Sequence, residues 1–298
     1  MKKFLIIGGL ALALSLAYEY LVEPWKTAKA QKAPAVPAAL AVGGRQGQLL
    51  SAFFGLDNAL PALANLICLG AANKDGMPVV LSDTIDEETL QPQDFKVITS
   101  AGVESTPSCV TLRPASDYGE LRTVLMVGEF GDAEIDPPAR VLIVDDLFSD
   151  GAPGMQVNFR GAEISVIPLE DGPTLVWAGI VPAAVWTKAD RSSTCPANSE
   201  QVLRVTWTGG VRLPNGDELS DAERSLYRVT VTHADGSTEE VSPIKLADLN
   251  DNDNNHLLCL DTSATAHAVG FPAGHLVDPN RDLNPDSRIV FSSLIGHQ

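Results

Sequence analysis

The feature that most constrains the fold is a series of short apolar runs separated by turn residues, which begins near Pro78 and continues to the C-terminal region. Runs of this length are normal for strands and too short for ordinary helices. The apolar runs are residues 79–81, 95–98, 123–127, 140–144 and 164–167. Residues 202–208 and 227–232 alternate between apolar and polar side chains, 238–241 returns as the second strand of a hairpin, and 288–291 is the last expected strand. Turn-forming pairs such as Asp75-Gly76 and Asn215-Gly216 lie between them. The pattern predicts a mainly β fold.

Residues 46–67 have a different pattern, because Leu49, Leu50, Phe53 and Phe54 repeat at helical spacing before Pro61. This spacing predicts a short helical segment at the start of the folded region. Farther along the chain, Ser220 followed by Glu223 fits a capping box, which predicts a helical turn between two strands.

The polar stretch from Asp190 to Asn198 separates two strand-rich halves. We therefore expect two β-sandwich domains, one over residues 46–190 with the helical segment and one over 191–298 with loops rich in Asp, Asn and His. The segment Leu90–Val97 resembles an early strand of bacterial immunoglobulin-like modules. This resemblance implies immunoglobulin-like or cadherin-like sandwiches in both halves.

The N-terminus has the pattern of a secretory signal: Lys2 and Lys3 precede an apolar run from Phe4 to Ala17, which ends in a small-x-small site. The run is shorter than the roughly 20 residues that span a bilayer. The prediction is a cleaved signal peptide at residues 1–17, with an uncleaved anchor as the alternative. Residues 18–45 contain an Ala/Pro-rich tether. We expect a secreted, periplasmic or cell-surface protein.

Four cysteines in an exported chain predict two disulfides. Three pairings are possible, and the simplest assigns one bridge to each half: Cys68 with Cys109, and Cys195 with Cys259. The absence of a C-x-x-C pair argues against a thioredoxin-like redox role.

The formal net charge of -17 excludes nucleic acids and anionic membranes as partners, because both would be repelled. A membrane contact is expected only through an uncleaved N-terminus. Protein or glycan partners remain, and Trp177 and Trp186 are candidates for stacking on sugars. Self-association into a homo-oligomer, through edge strands, is also possible.

The densest set of oxygen ligands begins at Asp248 and leads into an apolar strand. Calcium takes six to eight such oxygens, from carboxylates, amides, backbone carbonyls and water. An EF-hand does not fit, because Asp253 occupies its glycine position and Cys259 its final glutamate position. We expect a calcium site in a sandwich-edge loop, completed by distant carboxylates. The predicted ligands are Asp248, Asn250, Asp251, Asp253, Asp278 and Asp282. The alternative is a turn that caps its own backbone.

All five histidines lie in the last 66 residues, and His256 with Cys259 has a spacing found in zinc sites. A disulfide at Cys259 would remove that ligand. Sequence signatures for serine hydrolases, zinc proteases and nucleotide-binding enzymes are absent, so no catalytic residue is assigned.

The sequence therefore favours an exported binding, adhesion or surface-associated structural protein that calcium stabilises. Two alternatives are a metal-dependent hydrolase with a C-terminal His/Asp site and a self-assembling subunit of a fibre or surface layer.

Overall fold

The computed structural model describes residues 46–117, 119–152, 154–186, 195–249 and 251–291. The predicted signal peptide, the predicted tether and Asn250 lie outside these residues. Strands account for 39% of the chain and helices for 8%, which confirms the mainly β prediction. The described residues include no helix that is long and apolar enough to cross a membrane.

The first half of the chain forms an eight-stranded sheet, here called sheet 1, with strand order β4-β3-β7-β8-β1-β2-β6-β5. Neighbouring strands are antiparallel, except for the parallel pair of β1 and β8. The strands are β1 (Leu49–Phe53), β2 (Asp75–Leu81), β3 (Phe95–Thr99), β4 (Glu104–Ser105), β5 (Cys109–Thr111), β6 (Thr123–Gly128), β7 (Pro138–Ile143) and β8 (Glu163–Ile167). Buried side chains from strands near both ends of this order, such as Phe95 and Met126, share one hydrophobic core. Sheet 1 therefore folds over on itself.

The second half forms two four-stranded antiparallel sheets. Sheet 2 has the order β13-β14-β10-β9, and sheet 3 has the order β12-β11-β15-β16. The strands are β9 (Leu175–Ile180), β10 (Gln201–Trp207), β11 (Arg228–Thr232), β12 (Thr238–Val241), β13 (Lys245–Ala247), β14 (Asn255–Leu260), β15 (Thr265–Phe271) and β16 (Ser287–Val290). Trp207 of sheet 2 and Phe271 of sheet 3 lie in one core, with ring centroids 5.2 Å apart. The two sheets enclose this core between them.

Short helical turns connect the strands. The 3₁₀ helices are Ala62–Leu66, Glu87–Thr89, Pro92–Asp94 and Asp221–Leu226, and a short α-helix spans Ala183–Trp186. The capping box predicted at Ser220 and Glu223 is confirmed: Glu223 accepts a hydrogen bond from the Ser220 backbone N–H at 2.8 Å.

The predicted helical segment over residues 46–67 is wrong in its first part, because Leu49–Phe53 is strand β1 and only Ala62–Leu66 is helical. Strand β1 lies between β8 and β2, and four of its five residues are buried. A central strand that is covered on both faces is apolar throughout, so its pattern can match helical spacing by chance.

The division into domains at residue 190 remains a prediction. Strand β9, which precedes that position, pairs with β10 of sheet 2, so the chain passes from sheet 1 to sheet 2 between Ile167 and Leu175. All the described residues belong to one compact unit that spans residues 42–298.

The predicted disulfides are confirmed. Cys68 bonds to Cys109 and Cys195 bonds to Cys259, with Cα–Cα distances of 5.9 and 5.6 Å. The first bridge joins the segment after the Ala62–Leu66 helix to β5, and the second attaches the region before β10 to β14. Each half of the fold therefore has one covalent crosslink.

Candidate cation site

The Asp/Asn-rich stretch forms the loop of the hairpin that joins β13 to β14. Asp248 and Asn252 have positive φ angles of 60° and 64°, a conformation that Asp and Asn adopt more readily than most residues. Asp253 caps the start of β14, since its Oδ1 accepts the Asn255 backbone N–H at 2.7 Å. The turn chemistry expected from the sequence is therefore present.

A second loop, between β5 and β6, approaches this hairpin from sheet 1. Oxygen atoms of Asp117, from this loop, and of Asp248 and Asp251, from the hairpin, all lie within 4.8 Å of one another. Glu120 follows Asp117, and only 1% of its surface is exposed. Its carboxylate interacts electrostatically with Asp248 and Asp253. The group, called the acidic cluster below, comprises Asp117, Glu120, Asp248, Asp251 and Asp253.

Arg204, from the central strand β10, is the basic residue at the acidic cluster. It is 5% exposed, and its Nη2 lies 3.6 Å from Glu120 Oε1 and 3.5 Å from Asp248 Oδ2. Gly119 makes this approach possible, because a Cβ at position 119 would collide with the Arg204 guanidinium, and the φ of 85° also suits glycine. The guanidinium therefore pairs with two of the five carboxyl groups.

Two buried polar atoms at the acidic cluster have no hydrogen-bond partner: Glu120 Oε1 and Arg204 Nε. Unsatisfied buried polar atoms are rare, because each one loses its bonds to water without replacement. Glu120 Oε1 therefore has an ion-pair partner in Arg204 but no hydrogen bond.

Burial and repulsion between neighbouring carboxylates raise the pKa values of three members of the acidic cluster, Asp251, Glu120 and Asp253. Burial, followed by the neighbouring Asp253 charge, raises the pKa of Asp251 to about 7. Burial is also the main cause of the raised pKa values of Glu120 and Asp253. An ion-free cluster therefore holds protons near neutral pH, and a divalent cation would release them.

The donor atoms favour one class of cation over others. All five side chains offer carboxylate oxygens, which suit hard cations such as calcium rather than zinc or copper. Two oxygens that bind one calcium ion at 2.3–2.6 Å lie no more than about 5 Å apart. Oxygen atoms of Asp117, Asp248 and Asp251, which all lie within 4.8 Å of one another, meet this condition.

The structure brings together three of the predicted ligands, Asp248, Asp251 and Asp253, but not Asp278 or Asp282. Asp278 instead closes its own turn, because its Oδ1 accepts the Asp282 backbone N–H at 2.8 Å. Glu218 contacts the hairpin, since its Oε1 accepts the Asn252 backbone N–H, and Asp117 and Glu120 approach it from sheet 1. In sequence Asp117 and Glu120 lie more than a hundred residues from the hairpin among 38 acidic residues, and no local pattern marks them.

The histidines do not form a metal centre in the part of the chain that the structure describes, where the single group with suitably spaced ligand atoms contains none. His256 is buried, and its Nδ1 lies 2.8 Å from the Tyr227 hydroxyl, which also accepts a hydrogen bond from Trp207 Nε1. Burial lowers the pKa of His256 to about 4. Its neighbour in the proposed zinc spacing, Cys259, is in a disulfide. His256 therefore has a structural role in the core.

The tryptophans suggested for sugar stacking are partly covered. The guanidinium carbon of Arg122 lies 3.7 Å from the centroid of the Trp177 ring, and Trp186 packs against a small core around Val181 and Cys259. Arg122 also donates a hydrogen bond to the Ser82 carbonyl at 2.9 Å, which holds its side chain in place. One face of Trp177 is therefore covered by the Arg122 guanidinium.

No protein-family model matches the chain, and no curated protein is significantly similar to it in sequence.

Proposed function

We propose that this chain is an exported, calcium-binding β protein in which the cation occupies the acidic cluster and stabilises a binding or surface-associated structural scaffold. The observation that carries the proposal is the close grouping of Asp117, Asp248 and Asp251 beside the buried Glu120, whose Oε1 has no hydrogen-bond partner. A cation with a charge of two would offset much of the remaining repulsion.

The position of the acidic cluster suggests what the cation does for the fold. Asp117 and Glu120 belong to the loop that leads into β6 of sheet 1, whereas Asp248, Asp251 and Asp253 belong to a hairpin of sheet 2. Nearby, Asn254 Nδ2 donates a hydrogen bond to Thr123 Oγ1 at 3.2 Å, again linking the two sheets. Calcium at this point would join the two hydrophobic cores.

Export is supported by two independent features. The two disulfides indicate a non-reducing environment. The basic and apolar N-terminal sequence is typical of a secretory signal. The two four-stranded sheets around one core also support an immunoglobulin-like sandwich in the second half. Such a scaffold suits the binding of a protein or glycan partner rather than catalysis.

Thermal unfolding in excess calcium and in EGTA tests the proposal. Calcium at about 100 times its Kd would add about 2.7 kcal/mol to the free energy of unfolding. Magnesium should have a weaker effect, because it loses its water ligands reluctantly.

The double variant Asp117→Ala, Asp251→Ala should lose the calcium-dependent shift. The matched control Asp278→Ala, Asp282→Ala removes two carboxylates from a different turn and should retain it. A wild-type protein that calcium does not stabilise would contradict the proposal.

A further inference from the structure

A group of large apolar side chains protrudes from the fold around the Ala62–Leu66 helix. Leu63 is 74% exposed, Leu66 77% and Leu69 97%, and Ile67 beside them is 49% exposed. Residues 61–70 are called the apolar loop below. A patch of this kind on an otherwise acidic chain requires an explanation, because contiguous exposed apolar surface usually marks a contact site.

The apolar loop is held rigidly in this exposed position. Cys68 lies within the loop, is 3% exposed and is bonded to Cys109 of β5. Leu60 and Ala71, on either side of the loop, are buried with Cys68 in a small core. The leucines therefore protrude from a segment that is fixed at both ends and crosslinked near its tip.

The backbone of the apolar loop satisfies many of its own hydrogen bonds. The N–H groups of Ile67 and Cys68 both donate to the Ala64 carbonyl, at 3.1 and 2.9 Å, and Ala71 N–H donates to the Cys68 carbonyl at 3.0 Å. Such internal bonding lowers the free-energy cost of moving a segment out of water, where an unpaired peptide group is unfavourable.

The charge pattern indicates the kind of surface that the apolar loop meets. The chain contains no charged residue between Asp57 and Lys74, although its formal net charge is -17. A basic partner would find no carboxylate here, and an anionic membrane would be repelled by the rest of the chain. The charge pattern therefore favours a neutral, apolar environment as the surface that the apolar loop contacts.

We propose that the apolar loop inserts into the interface of a zwitterionic lipid bilayer. Leu63, Leu66 and Leu69 offer roughly 300 Å² of apolar side-chain surface, well below the roughly 800 Å² that each partner contributes to a stable protein interface. A bilayer has no such minimum, because each inserted side chain contributes to binding separately. The contact is reversible and is distinct from any anchoring by the N-terminal apolar run.

Fluorescence quenching by brominated phosphatidylcholine vesicles tests this contact in the full chain. A tryptophan introduced by Leu69→Trp reports on the apolar loop itself, whatever else holds the protein to the vesicle. The matched control is Ile135→Trp, at an apolar position that is 84% exposed in the loop between β6 and β7. The wild-type chain supplies the background from the native tryptophans. We expect strong quenching of the tryptophan at position 69 and little at position 135.

A second substitution identifies the contribution of the neighbouring leucine. Adding Leu66→Ser to Leu69→Trp should raise the lipid concentration for half-maximal quenching about tenfold, as the loss of one buried leucine implies. Equal quenching at positions 69 and 135, or no quenching at either, would overturn the proposal. Concentration-dependent dimers that Leu66→Ser disrupts, without quenching, would assign the apolar loop to a second copy of the chain and would also overturn it.

Discussion

Removing the charge of Asp251 should stabilise the protein in the absence of calcium and give no such advantage in its presence. In the ion-free protein the pKa of Asp251 is about 7, compared with an ordinary value of 3.8, because burial and the Asp253 charge oppose ionisation. This rise corresponds to about 4 kcal/mol. Because the side chain is partly exposed, solvent screening reduces the effect to about 2 kcal/mol. Asp251→Asn should therefore stabilise the ion-free protein at pH 8 by about 2 kcal/mol.

The pH dependence of this effect follows from the direction of the pKa change. Between the unfolded and folded pKa values of Asp251, 3.8 and about 7, the folded state binds more protons, so the wild-type stability falls as the pH rises. Above pH 7 the unfavourable contribution is complete. At pH 5 the advantage of Asp251→Asn should be less than about half of its value at pH 8, because much of the wild-type Asp251 is already protonated.

Urea unfolding in EGTA and in calcium provides the assay. Calcium at about 100 times its wild-type Kd should add about 2.7 kcal/mol to the wild-type stability, but less than about 1 kcal/mol to that of Asp251→Asn. In calcium, the variant should therefore lose the stability advantage that it has in EGTA. Asp282→Asn, which changes a partly exposed carboxylate in another turn, should behave as wild type in both conditions. A variant that is less stable than wild type in EGTA at pH 8 would refute the reasoning.

Three further predictions concern the residues around the site and the cores. Arg204→Ala should lower the free energy of unfolding in EGTA by about 3–5 kcal/mol, because it leaves buried carboxylates without a counter-charge; unchanged urea unfolding would contradict this. Tyr227→Phe should lower the free energy of unfolding by about 1–3 kcal/mol, since His256 and the Trp207 indole N–H lose a buried partner. Calorimetry should show this loss of stability without any change in calcium binding. Replacing Cys68 and Cys109 by serine should cost about 2–5 kcal/mol, whereas an unaltered melting temperature would show that the bridge adds no stability.

The strands were predictable because their signal is local. Residues 123–127 form an apolar run, and residues 202–208 alternate between apolar and polar side chains. Both segments have strand length, and they coincide with β6 and β10. The disulfide pairing followed from placing one bridge in each half. The error at β1 arose because burial on both faces removes the alternation that distinguishes a strand from a helix.

The candidate site was predictable only in part, for a related reason. Asp248, Asp251 and Asp253 lie in one hairpin that is continuous in sequence, so the high density of possible ligands could be recognised from the sequence alone. Asp117 and Glu120 reach it only because sheet 1 and sheet 2 meet at that point. The packing of one sheet against another leaves no mark in residue spacing, and Asp278 and Asp282 had equally suitable chemistry.

Calcium binding at the acidic cluster is the central claim, and isothermal titration calorimetry of the EGTA-stripped protein tests it most directly. We expect calcium to titrate a single site in the wild-type protein, with proton release near neutral pH, and to give no binding heat with Asp117→Ala, Asp251→Ala. A wild-type protein that binds no calcium, or a double variant that binds it equally well, would contradict the account.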